Sequence, residues 1–479
     1  MTRQHLLVSG AGLAYVAVSI FLIWNDKAFY TLFPLGLLAI YAAIYHPKFV
    51  FICLGLFAPL SINIEEWTPG FGLFIPTEPL LFGMMLLLIW LQLKKPFLDK
   101  RIWKQPIIWS VAIFLLWIAI TSITSTHPIS SLKFLLAKLW FIVPILIFGT
   151  HFLKDGISIE RFLWLFLIGT TIVVLYTVFH HASYRFGEKE SHWVMWPFFK
   201  DHTIYGAIVA LALPLSIGLY RSKNHPLLIQ AVLIGMIVII LTGLYFSYTR
   251  AAWLSVIAAI GVWGLIHFRI KFSIVAGVVV TLGIVLLISW DRIQMELERN
   301  KQEHTTEEFG ERLQSATNVS TDASNLERIN RWSCAIAMFQ ERPIMGFGPG
   351  TYAFEYARFQ EPENLTIIST NFGDMGNAHS EYLGPLAEMG VLGLLTFLGI
   401  VAAIFYSGIR LYLDWPAEDR KWKVIILSMI LSLTTYFVHG VLNNFLDTDK
   451  ASVPIWFMCA SFIVLRLKLE DAKQENKMV

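Results

Sequence analysis

The sequence predicts an all-α polytopic integral membrane protein with about 14 transmembrane helices (12–14) and one large helical loop on the outer side. Three observations predict it. Apolar residues make up 56% of the 479 positions and charged residues 15%, against roughly 25% charged in a soluble domain, and mean hydropathy is +0.61. Apolar stretches long enough to cross about 30 Å of hydrocarbon recur along the chain. Lys and Arg gather in alternate connecting loops. The counts of 31 Gly, 19 Pro and 3 Cys exclude collagenous, low-complexity and disulfide-scaffold classes. The 17 Trp and 36 Phe fit aromatic belts at the two interfaces.

In order, the expected spans lie at residues 6–24, 29–45, 49–62, 79–93, 106–123, 132–148, 162–179, 204–220, 227–246, 251–267, 272–290, 391–413, 424–442 and 453–465. The first run is long and lacks a small-residue cleavage site, so it reads as a span rather than a cleavable signal. Orientation follows from Lys94, Lys95, Lys100, Arg101 and Lys104 in one loop and Arg221 and Lys223 in another. Arg269 and Lys271, then Arg410, Arg420, Lys421 and Lys423, and the tail residues Arg466, Lys468, Lys473 and Lys477 fall on the same side. The opposite loops are poor in basic residues, and one carries Glu65 and Glu66. An even number of spans with both termini in the cytoplasm satisfies this pattern.

Three parts are expected: residues 1–290 as the first part of the bundle, 291–382 as a large outer loop carrying active-site residues, and 383–479 as the C-terminal spans and cytoplasmic tail. A loop of that length without a role is uncommon. After a charged arm and a turn-rich stretch, Ser324 and Glu327 form a capping-box pattern that starts a helix. Leu326, Ile329, Ile336 and Phe339 are expected to make its buried face, and Pro343 to end it. The segment Gly346-Phe-Gly-Pro-Gly350 reads as a turn cluster; it lacks the Lys-Ser/Thr of a phosphate-binding loop. The run from Asn377 to Gly393 reads as a short amphipathic helix, stopped by Gly390, that feeds the next span. No internal repeat or low-complexity segment occurs in the sequence.

Chemistry-bearing residues collect on the outer side. Arg250 sits in Ser247-Tyr-Thr-Arg-Ala-Ala-Trp253 between two closely joined spans, where it either pairs with an anion or snorkels to headgroups. Arg328 lies in the first turn of the capped helix, with Arg331 three residues on. A helix N-terminus favours anions, and guanidinium pairs bidentately with phosphate oxygens; a solvated helix face is the alternative. His379 titrates near neutral pH and can accept a proton from a hydroxyl, or it can be structural. Glu381 and Glu388 share its segment and either orient it or face water. Lys138 lies deep enough in a span to suggest an anion partner, with snorkelling as the alternative for it and for Lys133. His180, His181, Lys200, His202, His439 and Asp447 are weaker candidates in other outer loops. The histidines lack metal-ligand spacing, so no metal site is expected. Cys53, Cys334 and Cys459 suggest neither a disulfide framework nor a zinc site.

Taken as an ordered set, Thr249-Arg250-Ala-Ala-Trp253, Arg328-Ile-Asn-Arg-Trp332 with Pro343-Ile-Met-Gly-Phe-Gly-Pro-Gly350, and His379-Ser-Glu-Tyr-Leu with Glu388-Met-Gly-Val-Leu-Gly393 resemble the O-antigen ligase and polymerase superfamily of bacterial membrane glycosyltransferases. Motif support runs from about Thr203 to Ile404. The resemblance implies an enzyme of the inner membrane that takes a glycan from undecaprenyl diphosphate at the periplasmic face, without metal or nucleotide cofactor. It implies that Arg250 and Arg328 bind the diphosphate and that His379 is the catalytic base. Arg331, Glu381 and Lys138 complete the expected substrate-binding set. The expected partners are the lipid-linked glycan donor, an acceptor such as lipid A–core or a growing glycan, and membrane lipids; no nucleic acid is expected. Three readings stay open: a ligase acting on lipid A–core, a polymerase or protein-glycosylating relative, and a lipid-linked glycan flippase. A transporter should carry charge at the bilayer midplane and pseudo-repeated halves; here the charged candidates gather on one outer side, which favours the enzyme.

Overall fold

The computed structural model describes residues 3–25, 31, 33–65, 72–270, 277, 281, 289, 323–360 and 376–478. Its elements are α1 (Arg3–Trp24), α2 (Phe33–Tyr45), α3 (Pro47–Leu60), a two-strand hairpin of β1 (Ile62–Asn63) and β2 (Phe74–Ile75), α4 (Thr77–Lys94), α5 (Pro106–Ile123), α6 (Pro128–Ile142), α7 (Ile157–Ser183), α8 (His202–Ser222), α9 (Leu227–Tyr245), α10 (Arg250–His267), α11 (Ala323–Glu341), α12 (Tyr352–Glu355), α13 (Leu383–Asp414), α14 (Arg420–His439) and α15 (Asp449–Met478). Among the described residues ten helices are long and apolar enough to cross a membrane, α6 being counted with its continuation to Phe152. Gly12–Trp24, Phe33–Tyr45 and Pro47–Leu60 are shorter apolar helices that coincide with the first three expected spans. The expected span at 272–290 and the charged arm at 291–322 lie outside the described residues, apart from residues 277, 281 and 289. The chain is therefore a polytopic helical membrane protein.

Helices α8, α14 and α15 are buried along most of their length and form the centre; α9 and α10 are buried over less than a third of theirs. A helix apolar on every side is what a position at the middle of a bundle requires. The α8–α14 contact is tied by the Ser432 hydroxyl, which donates to the Leu211 carbonyl at 2.7 Å. Lys450, 1% exposed, caps the C-terminus of α3: its ammonium donates to the carbonyls of Ala58 at 2.9 Å and Ser61 at 2.6 Å and to the Ser61 hydroxyl at 2.6 Å. Cations suit helix C-termini because the last carbonyls lack intrahelical donors. This links α15 to α3 beside the hairpin, in which Ile62 pairs with Ile75 and Asn63 with Phe74.

The two ends of the bundle differ in chemistry. One end carries ion pairs between its basic loops and nearby acids: Lys48–Asp155 at 2.6 Å, Lys223–Glu160 at 3.2 Å, Arg466–Asp414 at 2.5 Å, and Arg101 with Asp99 and Asp471. Arg250, Arg328, His379 and His439 lie at the other end, where α10 and α13 begin and α14 terminates. In a background lacking the three native cysteines, Gly310→Cys is therefore expected to react with an impermeant thiol reagent applied outside intact cells. Arg101→Cys should react only after permeabilisation. Labelling in the reverse sense would invert the orientation.

Between the spans, two local expectations need correction. The buried face of α11 is Glu327, Asn330, Arg331, Cys334, Ala335 and Met338, whereas Ile336 is 40% exposed. The polar members bury because they satisfy one another, Arg331 with Glu327 four residues before it. The side chain of Leu326 and the Ser324 half of the capping box lie outside the described residues. The run from Asn377 to Tyr382 is not helical, and α13 starts only at Leu383. Asn377 and Ser380 explain this: the Asn377 side-chain oxygen accepts the His379 N–H at 3.0 Å, and the Ser380 hydroxyl accepts those of Tyr382 and Leu383 at 3.3 Å. Short polar side chains that bond nearby N–H groups compete with helix in this way.

Gly390 does interrupt a helix, within α13, with φ +68° and ψ −167°. A Cβ there would sit 2.2 Å from the Ile344 carbonyl oxygen, so only glycine fits. Backbone groups opened at such a break need partners inside a membrane protein. The Glu388 carbonyl accepts from Gly348 N–H at 2.8 Å, the Met389 carbonyl from the Trp117 indole at 2.9 Å, and Val391 N–H donates to the Pro343 carbonyl at 2.9 Å. The break and the glycine-rich turn thus hold each other, which docks α11 and that turn on the bundle.

Candidate functional site

Arg331 is the fixed point of the site. It is 5% exposed. Its Nε donates to Glu327 at 2.7 Å and its Nη1 to the Asn377 carbonyl at 3.2 Å. The guanidinium lies 5.1 Å from the Tyr356 ring centroid, Tyr352 stacks on Tyr356 at 5.3 Å, and the Tyr352 hydroxyl donates to the Arg331 carbonyl at 2.7 Å. Arg331, expected to bind substrate, grips the segment that carries His379. Asn377 completes the grip by accepting the His379 N–H, and His379 takes a left-handed φ of +45°. That conformation is uncommon for a residue with a Cβ and is held here by its surroundings.

Partial burial and the positive charges of Arg331 and Arg328 pull the His379 imidazole down to about 4, with Glu327 and Asp201 opposing them. A neutral imidazole is the form that can accept a proton. Arg328 also acts on His439, together with Asp201 and His202, so these side chains share one electrostatic neighbourhood. His439 is 1% exposed; its Nε2 accepts from the Asn443 amide at 3.1 Å.

Arg250 enters from the first turn of α10, just after Thr249, whose hydroxyl donates to the His202 carbonyl at 2.8 Å. Asp201 caps α8 by accepting from the N–H groups of Thr203 at 2.8 Å and Ile204 at 3.1 Å. Gly206 lets α8 approach this turn, since a Cβ there would stand 2.8 Å from that of Thr249. The α10 start, the α8 start and the end of α14 therefore meet, and the first turns of α8 and α10 direct N–H groups to this end of the bundle.

Glu381 and Lys138 belong to a neighbouring group. One carboxylate oxygen of Glu381 accepts from the N–H groups of Phe445 at 2.7 Å and Leu446 at 2.8 Å and from the Tyr436 hydroxyl at 2.5 Å. Burial pushes this carboxyl up, while Lys138 pulls it down. Lys138, 8% exposed, donates to the Leu446 carbonyl at 3.2 Å. Glu388 accepts from Gly350 N–H and Tyr352 N–H, both at 2.9 Å, and so holds the glycine-rich turn. Among the described residues no three His, Cys, Asp or Glu side chains gather as a metal set. The three cysteines are free thiols.

A family model described as O-antigen ligase matches residues 234–398. Over this segment the chain is similar to the O-antigen ligase family. The match spans Arg250, Arg328, Arg331, His379, Glu381 and Glu388, the residues of the three motifs, and it agrees with the resemblance those motifs gave. The family is of O-antigen ligase- and polymerase-type membrane glycosyltransferases. No curated protein matches the chain. Asp201, Asn377 and Tyr352 had no assigned role in the sequence reading. The bond from Arg331 to the Asn377 carbonyl depends on a fold that no local pattern announces.

Proposed function

We propose that the protein transfers a glycan from undecaprenyl diphosphate to an acceptor hydroxyl at the periplasmic face of the inner membrane, with lipid A–core as the acceptor and O-antigen ligation as the reaction. The observation that carries this reading is the neutral, arginine-flanked His379 held beside Arg328 at the end of the bundle opposite the basic loops. Arg328 and Arg250 neutralise the diphosphate, and His379 takes the proton of the acceptor hydroxyl. The acceptor oxygen forms a bond to the anomeric carbon as the bond to the diphosphate oxygen breaks. The electron pair leaves on the carrier, whose developing charge the arginines stabilise. A single displacement inverts the anomeric centre. No metal or nucleotide is part of this scheme. The test is reconstitution: the purified chain, supplied with the lipid-linked glycan and lipid A–core, should release one undecaprenyl diphosphate per glycan transferred.

Donor binding also prepares the base. Arg328, which with burial and Arg331 depresses His379, is neutralised by the arriving diphosphate, so the imidazole rises when the donor is in place. A base is weak while its pKa lies far below the working pH, and this coupling strengthens it at the moment it is used.

Arg331 acts in this scheme by positioning His379. Arg331→Lys keeps a charge but loses the fork that joins Glu327 to Asn377. We expect kcat to fall about 10–100-fold, as a displaced catalytic group costs, with undecaprenyl diphosphate binding nearly unchanged. In Arg331→Met the loss of positive charge should also move the acid limb of activity to higher pH. A large loss of diphosphate binding in Arg331→Lys would make it a direct ligand.

A further inference from the structure

Behind the backbone that carries His379 lies a cavity of about 220 Å³. Its wall includes Asn377, Ala378 and Ser380, the residues on either side of that histidine. Its polar lining is Lys138, Glu381, Glu388, Asn444 and Asp447, and its apolar lining includes the rings of Phe134, Tyr352, Phe397 and Trp456. We propose that this cavity seats an uncharged, hydroxyl-bearing sugar ring of the acceptor, beside the segment that carries the base; the assignment rests on the transferase reading above.

Charge decides against the donor's head. Three carboxylates face one ammonium, so the lining does not suit a diphosphate, and the arginines that do suit one, Arg250 and Arg328, are not part of it. Lys138 is already engaged with the Leu446 carbonyl and sits within reach of the Glu381 charge. This removes the case for Lys138 as a diphosphate ligand and gives it a place in a neutral-ligand pocket. Acceptor atoms predominate over donors, which is what hydroxyl groups need. The Asn444 side-chain oxygen is buried with no hydrogen-bond partner, and a hydroxyl would satisfy it. Glu381 and Glu388 are held by backbone N–H groups, so their orientation is fixed before a ligand arrives. Aromatic rings beside polar acceptors match a sugar, which has an apolar C–H face and a polar rim. The volume is below the roughly 300–1,000 Å³ of pockets that enclose drug-sized ligands and suits a single ring.

The experiment uses the full-length chain in proteoliposomes with undecaprenyl-diphosphate-linked glycan and lipid A–core, each titrated separately. Asn444→Ala and Asp447→Asn remove acceptor atoms; Ala353→Trp fills the cavity from its lining. We expect the KM for lipid A–core to rise about tenfold in the first two, one lost hydrogen bond each, and further in Ala353→Trp. The donor KM and the binding of sugar-free undecaprenyl diphosphate should stay unchanged. A raised donor KM with unchanged acceptor KM would assign the cavity to the donor's sugar and overturn the proposal. Unchanged values throughout would mean that the cavity holds only water. If the wild-type chain transfers nothing, the transferase reading fails separately. Direct binding of labelled lipid A–core then decides the cavity, and equal binding by wild type and Ala353→Trp overturns it.

Discussion

His379→Ala is expected to lower glycan transfer by about 10²–10⁴-fold, the usual contribution of a positioned base, while the protein stays folded and still binds undecaprenyl diphosphate. The segment around His379 is held by Asn377, Ser380 and Glu381 through bonds that do not use the imidazole, so its removal leaves the frame intact. Binding and transfer lost together would instead make His379 a ligand. His202→Ala and His439→Ala should keep more transfer than His379→Ala. The wild-type pH profile carries the same claim. With the free imidazole at about 4, its base form persists through the mildly acidic range and is lost only as pH falls through that value. Donor binding neutralises Arg328 and raises the imidazole, so the acid limb of kcat should lie at higher pH than that of kcat/KM for the donor. The first reports the donor-bound enzyme and the second the free one. Coincident limbs would mean that the diphosphate does not approach Arg328.

Arg328→Lys should be nearly as damaging as Arg328→Ala. Lysine keeps the charge but offers a point ammonium in place of a planar fork, and one misplaced donor to a developing anion costs about 10²–10³-fold in rate. Arg328 differs from Arg331 in the expected signature. Its loss weakens both undecaprenyl diphosphate binding and transfer, whereas loss of Arg331 spares binding. If Arg328→Lys restores most activity at equal protein levels, the bidentate role is wrong.

Much of the fold was legible because membrane crossing leaves a coarse signal. Apolar length and loop charge placed the spans from 79–93 onward, apart from 272–290, on helices long and apolar enough to cross a membrane, and they put the basic loops at one end of the bundle. The three motifs also pointed to one place, since each begins or ends a segment at the end of the bundle opposite the basic loops. What the sequence did not reveal is how residues are used once they meet. Arg331 and Arg328 look alike three residues apart, yet one lies in the buried stripe of α11 and is held by Glu327. Leu326, Ile329, Ile336 and Phe339 suggested a hydrophobic face, because periodicity counts apolar side chains and misses an ion pair that buries itself. Asn377 displaced helix around His379 through one side-chain bond, which propensity summed over a window does not register. The cavity lining comes from α5, α6, α13, α15, the glycine-rich turn and the loop after α14, so no single stretch could announce it.

The central claim is that the chain breaks a glycosyl–diphosphate bond rather than moving a lipid-linked glycan intact. Purified protein in proteoliposomes, given undecaprenyl-diphosphate-linked glycan labelled in both lipid and sugar together with lipid A–core, tests it most directly. The account predicts sugar label on lipid A–core and an equal amount of free undecaprenyl diphosphate, both lost in His379→Ala. Intact donor crossing the bilayer with both labels still joined, unaffected by His379→Ala, would contradict it.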